Sequence, residues 1–378
     1  MLCGSDLRLP GASPEKPQII AFPGSRSQNP PVESPRNALR VAGALAVSVA
    51  AGSLCAWFKT PLPWMIGPIV AMAIFQFGGA TLEAPPFARE AGQLVVGVTL
   101  GLYFTAPVVR EVATYGLYFA ALGFAAIGAG ALSAVLIERL APVDRATAWF
   151  SSMPGGAAEM ANLAQKAGAL PDRVALAHSI RMLFVVTLVP VAITYAGFSG
   201  ADDYHPSTTT FDAAGFAALM ALGGVSGWLG RRLHVPNAFM IVPLFASIGL
   251  TVAGLDLSSI PTPVSNAAQL LLACSLGAQF QQSFLREAPR FVASLVPAGA
   301  LMLAICTAIG ALLAWSSGVY LGSTFLAAAP GGIAEMSITA KVLHIGVPFV
   351  TAAHVVRYVV VIVFCAPCYR LFARKHSQ

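Results

Sequence analysis

Six ionisable side chains lie deep in apolar sequence, and they come as three pairs at one spacing. Met153-Pro154-Gly155-Gly156-Ala157-Ala158-Glu159-Met160 recurs as Ala329-Pro330-Gly331-Gly332-Ile333-Ala334-Glu335-Met336, an offset of 335 minus 159, or 176. The same offset pairs His178 with His354 and Arg181 with Arg357. A lone Arg or Glu in the middle of an apolar helix costs about 2.5–3.5 kcal/mol on insertion scales, so each of the six is a functional candidate. His178 and Arg181, like His354 and Arg357, are spaced i, i+3 and share a helix face. Because the Glu precedes them on the neighbouring segment, a Glu–Arg pair within each repeat is expected. Such a pair either serves function or simply clamps one element to the next.

Pro154-Gly155-Gly156 and Pro330-Gly331-Gly332 have their own physics. Proline ends the preceding stretch, the glycines permit a tight turn, and an acid in the first turn suits the positive end of the helix that follows. A helix N-terminus therefore opens inside the apolar region, tolerated only where it is buried in protein or lines a wet cavity. Two such N-termini entering from opposite faces would meet near the midplane. Their free N–H groups, with Arg181 and Arg357, would favour a small anion. Against that, desolvated Glu159 and Glu335 would carry protons, and the two histidines could join them. Both readings stay open from the residues alone.

The elements that must hold these groups are membrane helices. Of 378 residues, 57% are hydrophobic and 10% charged, the mean hydropathy is +0.74, and apolar runs recur along the chain. A soluble domain averages about 25% charged residues. That composition excludes a cytosolic enzyme, a secreted disulfide scaffold and a free DNA-binding protein. The net charge of +6 sits singly at the ends of apolar runs, as loop charges of a multi-pass protein do. The offset of 176 also pairs Gln93, Gly101, Phe104, Arg110 and Glu111 with Gln269, Gly277, Phe280, Arg286 and Glu287; with one residue of slippage, Pro61–Pro68 matches Pro236–Pro243. The predicted organisation is a Pro-rich disordered tail over 1–37, repeat 1 over 38–198, an acidic periplasmic linker over 199–210, repeat 2 over 211–372 and a cytoplasmic tail over 373–378.

Each repeat holds six apolar segments, in the first about 38–57, 62–80, 90–106, 113–137, 147–168 and 174–198, with the fifth broken at Pro-Gly-Gly. Suppose the broken segment enters and leaves on one side. Then Arg36, Arg40, Arg89, Arg139, Arg145, Lys166, Arg173, Arg231, Arg232, Arg286, Arg290, Arg370, Arg374 and Lys375 all fall inside, and only Lys59, Arg110 and Lys341 outside. If all six segments span, this bias vanishes. The first arrangement obeys the positive-inside rule and places Asp202, Asp203 and His205 outside and both termini in the cytoplasm. An odd number of spans per repeat gives the copies opposite orientation, as in secondary transporters. The expected fold is thus all-α: two inverted repeats of five transmembrane helices, each with a broken or re-entrant helix, in a bacterial inner membrane.

Other residues carry less. The six cysteines lie mostly in apolar sequence and imply no disulfide framework; Cys365-Ala-Pro-Cys368 lacks a thioredoxin-like context. Met65, Met240, Met160 and Met336 read as filler, and Gly123, Gly128 and Gly130 as small-residue helix packing. His205, His234 and His376 read as solvated. No cofactor, metal or catalytic residue is expected, since a copper or iron oxygenase would need clustered His or carboxylate ligands.

The doubled Pro-Gly-Gly-x-Ala-Glu-Met motif with a later His-x-x-Arg resembles the bacterial membrane AbrB-duplication family over almost the whole chain after residue 37. Members carry names such as AbrB-family transcriptional regulator and ammonia monooxygenase. The resemblance implies a transporter-like inner-membrane protein, or a membrane regulator that affects gene expression. The expected function is secondary transport of a small solute, anionic or proton-coupled, at Pro154, Gly155, Gly156, Glu159, His178, Arg181 and their mates Pro330, Gly331, Gly332, Glu335, His354 and Arg357. The expected partners are that small molecule or ion and membrane lipid, with a homodimer left open and no nucleic acid.

Overall fold

The computed structural model describes residues 35–375 apart from 199, 201–203, 281 and 283–287. The expected tail up to residue 34, Asp202, Asp203, Arg286, Glu287 and His376 therefore lie outside the described residues. Repeat 1 comprises α1 (Pro35–Trp57), α2 (Pro63–Phe77), α3 (Ala88–Gly101), α4 (Ala106–Thr114), α5 (Gly116–Leu140), α6 (Arg145–Ser152), α7 (Ala157–Lys166) and α8 (Pro171–Tyr195). The same order returns as α9 (Ala213–Arg232), α10 (Ala238–Val252), α11 (Thr262–Gly277), α12 (Pro289–Ser317), α13 (Leu321–Ala328), α14 (Ile333–Leu343) and α15 (Val347–Lys375). Among the described residues there is no strand.

Helix boundaries follow the sequence offset closely. Residues 145, 157 and 171, where α6, α7 and α8 begin, map onto 321, 333 and 347, where α13, α14 and α15 begin. Even the turns repeat: Lys59 and Leu62 have positive φ of 53° and 48°, and their mates His234 and Asn237 have 57° and 54°. Six helices, α1, α5, α8, α9, α12 and α15, are long and apolar enough to cross a membrane. α8 and α15 are the central ones, with 61% of their apolar stretch buried, whereas α1 has 17% and lies at the periphery.

One departure from the sequence reading is the segment expected over 90–106. It does not end there but bends by 94° into α4. Pro107 suits the first turn of α4, where its missing N–H leaves no helical bond unmade. Another is α1, which starts at Pro35 rather than 38.

The helices pack as two layers. α1, α2, α3, α9, α10 and α11 form one; α5–α8 and α12–α15 form the other. Contacts across the repeats are reciprocal: α2 packs on α11 as α3 does on α10, and α5 faces α12. Glycine sets the closest approaches. A Cβ on Gly101 would run into Ser247 of α10, and one on its mate Gly277 into Met72 of α2, residue 247 minus 175. Between the layers, contact runs through α2 against α8, and α3 against α14 and α15.

Gly277→Val should therefore overpack the α2–α11 contact and lower stability by about 1–3 kcal/mol. Gly128→Val, where no atom lies within 4 Å, should shift it by less than about 0.5 kcal/mol. Thermal unfolding of both variants in detergent micelles checks the contrast.

Candidate functional site

Each broken element is a hairpin. α6 is about 12 Å long and α7 about 15 Å, from 8 and 10 residues at 1.5 Å per residue. The backbone N–H of Leu170, just before α8, donates to Thr147 Oγ1 in the first turn of α6 at 2.9 Å. The chain that enters with α6 thus returns with α7 to where it began, and α8 starts there. Repeat 2 does the same: Ser323, the mate of Thr147, lies against Gly346, the mate of Leu170.

The hairpin tip is held by the His-x-x-Arg of the following helix. α6 stops at Met153-Pro154, leaving carbonyls without helical partners. Arg181 Nη1 donates to the Met153 carbonyl at 2.7 Å and, more weakly, to that of Ser152 at 3.4 Å, while Nη2 reaches Gly155 O at 3.4 Å. His178 Nε2 donates to Phe150 O at 3.0 Å, and its Nδ1 accepts from Arg181 Nη2 at 2.7 Å. That pattern requires a neutral ring protonated at Nε2, because Nδ1 is occupied as an acceptor. Repeat 2 copies it. Arg357 donates to the carbonyls of Ala329 and Gly331, His354 Nε2 donates to Leu326 O at 2.9 Å, and Arg357 Nη2 meets His354 Nδ1 at 2.8 Å. A guanidinium fork suits diverging carbonyls, and a cation suits a helix C-terminus.

The expected Glu–Arg pair does not form. Among the described residues the ion pairs are Arg40–Glu83 and Arg145–Glu138. The arginines go to backbone instead, and the acids go to the other end of the break. Glu159 and Glu335 sit three residues after the N-caps Gly156 and Gly332, and each carboxyl folds back over that glycine so closely that a Cβ there would collide with its Oε2. This is the N3 position, where an acid faces the positive end of its helix. Glu159 also accepts from Tyr358 Oη of the other repeat at 2.9 Å. At each helix N-terminus expected to attract an anion, a carboxyl is thus already packed against the N-cap glycine.

Both tips open on one cavity of about 80 Å³ between the two layers. Eleven of the twelve residues expected from the sequence line it, Pro154, Gly155, Gly156, Glu159, His178, Arg181, Gly331, Gly332, Glu335, His354 and Arg357; Pro330 does not. It also takes in Arg89 and Gln93 of α3, Ser179 and Met182 of α8, Asn237 before α10, Gln279 after α11, and Tyr358. The sequence reading took Arg89 for a loop charge. Gln93 donates to Asn237 Oδ1 at 2.8 Å, and Ser179 donates to Gln279 Oε1 at 3.4 Å across the layers. The charges of Arg181 and Arg357 are close enough to act on each other, and Arg89 acts on Glu335.

The methionines that looked like filler have a place. Met160 and Met336 are fully buried and rest on Gly155 and Gly331, where a Cβ would strike the thioether. Gly123 and Gly130 do admit close packing, against Val360 and Met153, whereas Gly128 faces open space. His205 and His234 are exposed.

The two hairpins differ in their surroundings. α14 is buried along most of its length and packs on α3, and Glu335 is 8% exposed. In α7, Ala158, Asn162, Gln165 and Lys166 are exposed and Glu159 is half-buried. The cavity is therefore covered on the α14 side and reachable beside α7.

Arg181→Ala should leave the carbonyls of Ser152 and Met153 without a donor and cost about 2–4 kcal/mol, with Arg181→Lys recovering only part because it lacks the fork. Chemical denaturation followed by tryptophan fluorescence, sensitive to buried Trp149 beside the tip, measures both.

The family described as Transition state regulatory protein AbrB matches residues 64–373. A Bacillus subtilis (strain 168) protein named "Uncharacterized protein YhjN" is 25% identical over 358 residues, covering 88% of this chain and 93% of the relative. An Escherichia coli (strain K12) protein named "Putative regulator AbrB" is 25% identical over 282 residues, or 74% of this chain and 81% of the relative. With the match running from α2 into the last turns of α15 and taking in both hairpins, the chain belongs to the AbrB family.

Proposed function

We propose that this protein is a proton-coupled secondary transporter of a small solute, with its site where the two hairpin tips meet. The observation that carries this is one cavity lined by both Gly-Gly turns and both glutamates. Paired broken elements around a central polar cavity are the arrangement inverted-repeat transporters use.

An inverted relation of the repeats is supported by where the hairpins open. The mouth of the first lies at the start of α8, through the Leu170–Thr147 bond. α8 then runs 25 residues, about 37 Å, enough to cross a hydrocarbon core of about 30 Å. Just beyond its far end, the Gly200 N–H donates to Leu343 O at the mouth of the second hairpin. The charges sort the same way. Near the first mouth are Arg145 with Glu138, and Arg173 over the Phe291 ring. At the other end are Lys341 on Ser265, Tyr204 on Glu111, and Ser207 on the Leu102 carbonyl. We take the arginine-rich end as cytoplasmic, with five spans per repeat, both termini cytoplasmic and the chain in the inner membrane. In this arrangement α2, α3, α10 and α11, of 14–16 residues, cross a core partly made of protein.

Alternating access follows from the unequal hairpins. A cavity reachable beside α7 and shut beside α14 faces the cytoplasm; exchanging the two environments by moving one layer against the other would face it outward. The protein acts in this reading as a carrier, not an enzyme. The second reading, a membrane regulator of gene expression, is favoured only by the name of the Escherichia coli relative.

Glu159→Gln and Glu335→Gln should each reduce solute-driven proton movement in proteoliposomes at least tenfold while the protein still inserts and purifies as the parent does. A pH-sensitive dye inside the vesicles reads this. Unchanged proton flux in both variants sinks the transporter, and a transcriptional effect of gene deletion that either variant restores in full points to the regulator.

A further inference from the structure

The cavity lining divides into a part that obeys the duplication and a part that does not. The turns, glutamates, histidines and arginines are present twice. Arg89, Asn237, Gln279 and Tyr358 are present once: their mates are Ser265, Leu62, Tyr103 and Met182. A proton-carrying framework has to serve both faces of the membrane and so is needed in both repeats. Groups that recognise a solute are needed once.

Those single groups supply donors. Arg89 is exposed at the cavity and makes no hydrogen bond or ion pair among the described residues. The NH2 groups of Asn237 and Gln279 are unused in the bonds these amides make through their oxygens. Arg181 and Arg357 are more than nine-tenths buried, and in both the Nε–H lacks an acceptor. Three guanidiniums face two carboxyls, and the histidines are neutral, so the lining carries a net charge of +1 with both acids ionised and +3 with both protonated. The acids themselves occupy what are otherwise the anion-binding positions, the N-termini of α7 and α14.

We propose that the solute is a small carboxylate anion taken up together with protons, and that Glu159 and Glu335 stand in for it at the two helix N-termini until they are protonated. This rests on the transporter reading and names its substrate class. Protonation removes a negative charge from a low-dielectric site lined by three guanidiniums. Anion and proton then favour each other's binding by the same factor. A carboxylate, rather than a spherical halide, is indicated because a carboxylate already fills each seat and because a guanidinium and paired amides match its two oxygens. The volume of about 80 Å³ limits it to a few heavy atoms.

The charged and titratable groups around the two acids come from three helices beside the hairpins. Arg89 is on α3, His178 and Arg181 are on α8, and His354, Arg357 and Tyr358 are on α15; the α10 and α11 residues at the cavity, Asn237, Leu276 and Gln279, do not titrate. Within this set the two glutamates alone change the charge of the seats.

The test uses the full chain in lipid nanodiscs with sodium acetate, sodium chloride and methylammonium chloride as probes. Acetate should raise the unfolding temperature more at about pH 6 than at about pH 8, with proton uptake in weakly buffered solution. The Glu159→Gln, Glu335→Gln double variant should bind acetate on the order of tenfold tighter at about pH 8 and without proton uptake, and Arg89→Gln should weaken acetate by a similar factor. If the double variant does not fold, Glu159→Gln alone should show the tightening with less proton uptake than the parent. Acetate affinity that is the same at both pH values in the parent overturns the stand-in role. Stabilisation by methylammonium but not acetate, or by chloride as strongly as by acetate, overturns the substrate class. Proton-linked acetate binding without any acetate-driven proton flux in proteoliposomes would keep the site and remove the transporter instead.

Discussion

The structure depends on one arrangement made twice: an arginine and a histidine from a long helix satisfying the backbone carbonyls of a helix that stops inside the protein. A broken helix in an apolar environment leaves polar groups that water cannot reach, and each such group costs several kcal/mol. Arg181 and His178 answer this for Phe150, Ser152, Met153 and Gly155, and Arg357 and His354 for Leu326, Ala329 and Gly331. The cost of burying a guanidinium is offset because its fork meets carbonyls that would otherwise be orphaned. The clamp is a condition for the hairpin tip, and the tip is a condition for the cavity.

Once the arginines serve the carbonyls, the glutamates have to be read differently. They lie over the N-caps Gly156 and Gly332 of the helices that carry them, so each break has a cation and histidine on the carbonyls of one end and an acid beside the other. A direct Glu–Arg salt bridge would have tied the acids to the integrity of the hairpin. The observed division keeps the charges that hold the tips apart from the acids that face the cavity.

Much of this was legible in the sequence, and the illegible part has a physical reason. The duplication, both breaks and eleven central cavity residues follow from spacing, because proline, glycine and buried charge leave few alternatives locally. The partner of Arg181 did not follow: i, i+3 spacing tells which residues share a face, not what lies across from that face. Arg89, next to the loop Pro85-Pro86-Phe87, had the signature of a membrane-end charge, and only the packing of α3 against α14 shows that it faces the cavity. Tyr358 was hidden by its neighbours, one residue after Arg357 and before Val359-Val360-Val361, yet it reaches Glu159 in the other repeat. Contacts between repeats are the least visible from sequence, since each repeat supplies only half of them.

The match between the two clamps also says which parts of the molecule can move. Histidine-to-carbonyl distances are 3.0 and 2.9 Å, and arginine-to-histidine distances are 2.7 and 2.8 Å, although one hairpin is buried and the other half-exposed. Local geometry that is indifferent to such different surroundings marks each hairpin and its clamping helix as a rigid unit. The difference lies outside these units, where α14 rests on α3 and, among the described residues, α7 has no comparable contact with α11. Under the transport function proposed above, a change of access calls for the layer holding both hairpins to shift against the layer of α1–α3 and α9–α11, with the tips carried along intact. Ser179 and Gln279, bonded across that boundary at 3.4 Å, lie where such a shift is resisted by polar contact instead of close apolar packing.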